Sequence, residues 1–394
     1  MSKINIKTGF SQNRNEEIAV AECFEQIKQD NMGFVIMFAD RNYDQSKINK
    51  AWQKKIPQDT SFIGCSSLKI NIPFVKMIEN VTSEGFKDGI TAMSISSNKI
   101  DVSIKLIKNI KDNWKEASNK ALTEAAQDFN LDLKNADPKK YLGLVLCDPT
   151  SDCEDYILEN LYTMSNIFFV GGGAGGRASI LSGDLTGYIH TKDGIFSNAA
   201  CVALIKSDIP FKIDLTTSFL TTEHKFKITK ADGRFIHELN GKPATDEYVK
   251  ALGISKIKLG TKKVPNSRLF MAHPLGAMIE DRAYIRAIKH YNGDSLVVAA
   301  DVKEGQTLYL MKRGDIVKTT QEAMDRLKKE LGLISGMILF HCGYRILEAN
   351  ISKVSDALFK EMNVAPLVGL NSNGEYYGWL SMNQTLTILA FGDL

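Results

Sequence analysis

The chain has 394 residues, 44% apolar and 24% charged, and its 49 basic and 46 acidic side chains leave a net charge of +3. That length predicts two domains rather than one simple core, and the near-neutral balance excludes nucleic-acid binding by bulk charge. No stretch approaches the ~20 continuous apolar residues of a membrane span, and the start MSKINIKTGF has no signal-peptide core, so a cytoplasmic protein without membrane association is expected.

In chain order, the first helix is predicted over 15–29, with Ile18, Ala21, Phe24 and Ile27 on the buried face and Glu16 and Glu17 suiting the helix dipole in the first turn. The strand 34–39 follows, then a polar helix over 44–55, the strand FIGCSS (62–67), and strands over 89–96 and 100–107. Trp114, Ala117, Ala121, Leu122, Ala125 and Phe129 mark an amphipathic helix before Asp137-Pro138. A strand at 141–148, a helix at 154–164, a strand into the glycine run and the strand AACVALIK (199–206) repeat that order. Past Pro210 the pattern changes: a hairpin turns at Asp232-Gly233, a short helix from Thr245 stops at Gly253, and three strands lie between 269 and 311. A helix over 320–331, with Thr319 and Glu322 in capping-box spacing, precedes a strand GMILFHCGYR (336–345), a helix carrying Val354, Ala357, Leu358 and Met362, and a closing strand LTILAFG.

One unit is thus spelled three times: apolar strand, crossover helix, second apolar strand ending in small residues, then further strand. From Phe38 to Gly64, Leu146 to Gly171 and Phe340 to Gly369 the spacings are 26, 25 and 29 residues, each enough for one right-handed crossover between parallel strands. The fold class is therefore mixed α/β, with partly parallel sheets flanked by helices. Two domains are expected, 1–215 with two repeats and 216–394 with the third plus a strand-rich segment. Open sheets of this kind bind ligands at the carboxyl ends of their strands.

Gly171, Gly173 and Gly176 satisfy GxGxxG, but RASILSGDLTGYIH after them carries no helical stripe, so no nucleotide site is read there. The glycines at 172 and 173 permit close approach of either a ligand or a packed backbone. The six cysteines are read as reduced thiols, and neither they nor the histidines form a metal motif; no metal and no cofactor are expected. Cys65 and Cys342 are the weak nucleophile candidates. His341, beside Cys342, points to the opposite face of a strand and is badly placed to act as its base, and Ser66 lacks a triad context. Arg345 and Glu375 share one strand-end edge, where they either clamp a carboxylate and an ammonium or pair with each other.

FIGCSS, VGGGAGG with DGIFSNAACVAL, ITKADGRFIHELNGKPATDEYVKALG, HPLGAM with EGQTLYLM, FHCGYR and GEYYG, in that order, resemble the FIST family, with its paired FIST N and FIST C domains in bacterial signalling proteins. The resemblance implies a cytoplasmic sensory module that binds a small molecule, an amino acid or another small carboxylate, and acts in trans on a separate kinase, cyclase or chemotaxis component. It departs from the family at Leu68-Lys69, where Gly-Glu is usual, and at Ile346. Arg345, Gly172, Gly173 and Asn371 are expected to hold the anionic group and Glu375 the cationic one, with Cys342, Cys65 and Ser66 nearby. A thiol-dependent enzyme using Cys342 or Cys65, and a protein-interaction adaptor without a ligand, stand as the alternatives.

Overall fold

The computed structural model describes residues 4–71, 80–82, 85–179, 186–261, 265–280 and 282–393. Its first repeat runs β1 (Asn5–Ser11), α1 (Glu16–Ile27), β2 (Phe34–Asp40), α2 (Gln45–Lys55), β3 (Ser61–Ser67), a hairpin β4–β5 (Asn80–Thr82, Gly85–Lys87) and β6 (Ile90–Ser96). The second runs β7 (Ile100–Lys108), α3 (Ile110–Gln127), β8 (Tyr141–Cys147), α4 (Glu154–Met164), β9 (Phe168–Gly173), a hairpin β10–β11 (Ile189–Thr191, Gly194–Phe196) and β12 (Ala199–Ser207). The third begins with β13 (Phe211–Thr217). It resumes at α5 (Ile316–Leu331), β14 (Ile334–Cys342), α6 (Gly343–Ile351), α7 (Ser355–Met362), β15 (Leu367–Ser372), a hairpin β16–β17 (Glu375–Tyr377, Leu380–Met382) and β18 (Thr385–Gly392).

Each repeat builds four strands of a six-stranded sheet, with orders β1-β6-β2-β3, β7-β12-β8-β9 and β13-β18-β14-β15. The crossover pairs β2/β3, β8/β9 and β14/β15 are parallel and the last strand of each repeat is antiparallel to the first of its pair. Strands five and six of every sheet come from another repeat. Hairpin β10–β11 completes the first sheet, β16–β17 the second and β4–β5 the third. The exchange is cyclic.

The parallel ladders pair Ile36 with Ile63, Leu144 with Val170 and Ile338 with Val368, which fixes the equivalent positions of the repeats. Alternation then sends Ile36, Phe38, Leu144, Leu146, Ile338 and Phe340 into one shared core between the three sheets. Phe38 and Phe340 meet edge to face there, centroids 6.2 Å apart. The outer faces are covered by helices: α1 and α2 seal Val35, Met37 and Phe62, while α3 and α4 seal Val145, Phe169 and Val202.

A ring of three backbone hydrogen bonds closes the cycle at the ends of the second strands. The N–H of Gly175 donates to Ser66 O (2.8 Å), that of Asn373 to Gly173 O (3.0 Å), and that of Leu68 to Asn371 O (2.9 Å). By the ladder equivalence 66, 173 and 371 are one position, and 68, 175 and 373 another. Gly175 has a steric reason: a Cβ there would lie 2.1 Å from Leu68 Cα, and one on Gly173 2.4 Å from Asn373 O.

The chain forms two compact units, one of residues 1–216, 320–381 and 386–394, the other of 217–319 and 382–385. The third repeat, assigned from sequence to a domain 216–394, lies in the first unit, because its strands share the core with the other two. The second unit has its own core around Phe226, Ile236, Tyr248, Phe270 and Leu308, with the expected hairpin at Asp232-Gly233 and the expected helix stop at Gly253.

Several local expectations are corrected. Ile18 is 48% exposed, and α1 buries Ala19, Val20 and Cys23 beside the expected Phe24 and Ile27. The first of the three strands expected between 269 and 311, YIRAIKHY (284–291), is two, Arg282–Arg286 and Ile288–Asn292. Helix α5 starts at Ile316, capped by the Asp315 carboxylate on the N–H groups of Val317 and Lys318, so Thr319 lies inside it. Strand β14 ends at Cys342 rather than Arg345, and the crossover of the third repeat is two helices. The tail of the glycine segment, 180–185, lies outside the described residues.

Gly175→Ala should lower stability by about 1–3 kcal/mol, since backbone atoms of Leu68 cannot yield as a side-chain tip would. Gly33→Ala, whose nearest Cβ contact is 3.8 Å, is the control. Denaturant midpoints compare them; equal midpoints would remove the ring from any role in stability.

Candidate functional site

Because α6 starts directly after β14, Arg345 falls in the first turn of a helix whose residues Arg345, Ile346, Leu347, Glu348 and Ala349 are all buried. Arg345 is fully buried. One guanidinium nitrogen meets His341 Nε2 at 2.8 Å and the other donates to Thr320 Oγ1 on α5 at 2.5 Å. A wholly buried charge is retained only with compensation. Burial pulls the Arg345 pKa down to about 10, against the opposing pull of Glu348, Cys342 and Glu375, so it stays cationic at neutral pH.

His341 completes the geometry in the opposite sense. Burial first, and the adjacent Arg345 charge second, hold its pKa well below the usual imidazole range, so it is neutral. A neutral ring that accepts from Arg345 at Nε2 carries its proton at Nδ1. It is therefore engaged as an acceptor for Arg345, not poised as a base for Cys342.

On the neighbouring strand, Ser372 Oγ donates to Glu375 Oε1 at 2.6 Å, and both residues are fully buried. Asn371 lies beside His341 in the ladder. Its Nδ2 donates to Leu68 O at 2.8 Å, which fixes the amide orientation, and its Oδ1 is buried with no hydrogen-bond partner among the described residues. An unpaired buried acceptor costs about 1–3 kcal/mol.

The structure thus brings Arg345, Cys342, Asn371 and Glu375 to the carboxyl edge of β14 and β15. Gly172 and Gly173 border it through backbone, Gly172 opposite Glu375 in the ladder and Gly173 bonded to Asn373 and Gly374. Ser66 meets the same ring, with Oγ donating to Gly175 O at 2.7 Å and accepting the Tyr188 N–H at 2.9 Å. Cys65 lies apart in the shared core, its thiol pushed well up by burial. Three participants escaped sequence reading. Glu348 becomes a neighbour of Arg345 only once α6 is a helix, and neither Thr320 nor Ser372 has a local signal.

At the matching edge of the first repeat, four residues separate β2 from α2, and a cleft of about 590 Å³ opens between Glu16, Arg41, Tyr43, Asp44 and Tyr188. Arg41 lies over the Tyr188 ring at 4.8 Å. Among the described residues no His, Cys, Asp and Glu group is arranged to hold a metal, and no helix is long and apolar enough to cross a membrane.

The FIST N domain model matches residues 33–242 and the FIST C domain model 244–378. An uncharacterized protein of Methanocaldococcus jannaschii is 27% identical over 265 residues, 62% of this chain and 50% of that protein, so the chain spans half the length of that relative. Two solved structures, T. maritima PurL complexed with AMPPCP and PurLQS from Thermotoga maritima, align over 100% and 99% of this chain and 73% and 72% of theirs. Their identities are 9% and 10% and their TM-scores 0.22 and 0.20, values that carry no argument about fold or function.

The buried imidazoles predict a pH dependence. His190, whose ring nitrogens lie 3.0 and 3.1 Å from the side-chain amides of Gln45 and Asn49, is pushed by burial to about 3, in the same direction as His341. Each is neutral when folded and takes up a proton when unfolded below ~6.5, so stability falls as pH drops from there, by ~1.4 kcal/mol per pH unit for each ring. His341→Gln should remove one such slope between pH 6.5 and 5 in urea titrations. An unchanged slope would show that His341 is not buried neutral.

Proposed function

We propose that this chain, which belongs to the FIST family, is a cytoplasmic sensor that binds a small carboxylate, an amino acid or a relative, at the carboxyl edge of β14 and β15, and acts on a separate signalling protein. FIST domains are sensory domains of signalling proteins, and that coarser assignment is where the family stops. The observation that carries the finer reading is Asn371 Oδ1, a buried acceptor without a partner among the described residues, on the same strand-end edge as the buried Arg345 and Glu375. An acceptor, a cation and an anion at one strand-end edge suit a ligand with both an anionic group and a donor.

In this reading Arg345 takes the anionic group, Glu375 the cationic one, and Asn371 a donor from the ligand. Asn371 belongs to the hydrogen-bond ring that ties the third repeat to the first, and Glu375 opens the hairpin that the third repeat lends to the second sheet. Ligand at this edge therefore touches two of the three junctions between repeats. That is a route from occupancy to a change in shape or rigidity that a partner protein could read.

A thermal-shift panel of amino acids and small carboxylates tests the reading. A true ligand at 100 times its Kd stabilises by ~2.7 kcal/mol, and the shift should vanish in Arg345→Lys and Glu375→Gln at matched concentration. The site is misassigned if no compound moves wild type, or if both variants respond as wild type does.

A further inference from the structure

The second unit carries a segregated charge. Residues 248–279 include five lysines and one arginine and no aspartate or glutamate, in a chain whose 49 basic and 46 acidic residues nearly balance. Of the six, Lys250, Lys256, Lys258 and Arg268 are described, and all four are exposed. Between two of these lysines stands Ile257, 81% exposed, the most open large apolar side chain among the described residues. Lone exposed apolar residues are common on any surface. What sets this one apart is how it is held and what surrounds it.

Ile257 sits in a single turn of 3₁₀ helix, Lys256–Leu259. In that geometry residues three apart eclipse one another, so Lys256 lies over Leu259. Leu259 is fully buried in the unit's core, and Lys256 Nζ turns to Asp246 at 3.0 Å and Asp294 at 2.6 Å. Ile257 and Lys258 are left pointing away from the core. The turn is clamped from three sides, because Asn266 Nδ2 donates to Lys258 O at 3.0 Å, the Asn266 N–H to Leu259 O at 2.8 Å and the Tyr291 hydroxyl to Gly260 O at 2.8 Å. Arg268 follows two residues beyond that clamp, in the helix Ser267–Ala272, and Lys250 closes the helix Ala244–Leu252 that precedes the turn. The fold thus presents an apolar side chain on a fixed tip among basic ones.

We infer that the turn Lys256–Leu259 is a docking tip for an anionic lipid surface, with Ile257 entering the acyl boundary and Lys250, Lys258 and Arg268 meeting the lipid phosphates. Charge complementarity selects an anionic occupant, and Ile257 selects among anions. A polyanion such as RNA would engage the lysines and leave the isoleucine in water, whereas a lipid surface takes both, with the ammonium groups staying at the headgroups. One inserted side chain plus a few basic ones gives reversible attachment at the surface, without a membrane-spanning helix. This replaces the expectation of no membrane association, which rested on the missing span, and it does not depend on the small-ligand reading.

Sedimentation of the full chain with phosphatidylcholine vesicles, with and without phosphatidylglycerol, tests the inference. Wild type should sediment with the anionic vesicles alone and be largely released at about 1 M salt, where the Debye length is ~3 Å. Lys258→Ala should weaken the partition about fivefold, the worth of one basic side chain near such a surface, and Ile257→Ser about tenfold through the lost apolar contact. Ile257→Trp should retain binding, and its fluorescence should shift to the blue on adding anionic vesicles by more than wild type shifts. Both positions are exposed, so unchanged melting temperatures confirm that the variants are folded. The tip is overturned if wild type ignores anionic vesicles, even where RNA or an acidic protein binds the same lysines. It is equally overturned if Ile257→Ser partitions as wild type does, which would leave electrostatic adsorption alone.

Discussion

Three backbone hydrogen bonds hold this architecture in place: Gly175 to Ser66, Asn373 to Gly173 and Leu68 to Asn371. Each joins the end of a second strand in one repeat to the segment that leaves the second strand of another. Together with the cyclic loan of hairpins they make the three sheets mutually dependent, since each sheet draws its last two strands from another repeat. The shared core follows from the same closure, because the inner faces of β2, β8 and β14 meet there together with those of the strands beside them. A glycine at 175 is required by the approach to Leu68, and one at 173 by the approach to Asn373. Seen this way, the glycine run answers a packing demand first. It borders the candidate site because the ring does.

Much of this was legible in the residues, and the reason is local. Each crossover is an apolar strand, a helix and a strand with glycine at one fixed place, and those signals lie within about thirty residues, the range over which hydrophobic periodicity speaks. Parallel pairing, helix cover and the third copy could all be read. The hairpin exchange could not, because its strands are three residues long and their partners lie far away in sequence. The ring was equally silent, since backbone N–H groups leave no side-chain signature.

The site shows the same division. Arg345, Glu375, Cys342 and Asn371 stood out as polar residues at apolar strand ends, and the fold brings them to one edge. Reading FHCGYR as continuous strand hid what the helical turn does. It folds Arg345 back onto His341 and Thr320 and makes Glu348 a neighbour. Cys65, nominated by the same strand-end logic, went into the shared core, because position 65 alternates inward with Ile63.

Closure of the ring also constrains how the protein comes into being. Leu68 and Asn371 are 303 residues apart, and the hairpin lent by the first repeat adds to a strand that begins at Leu367. During synthesis the first two repeats must wait for the third, presenting the bare edge that it will cover, and such edges are where chains pair wrongly. The protein is therefore an unusually non-local fold assembled from local pieces, slow to complete and cooperative once complete.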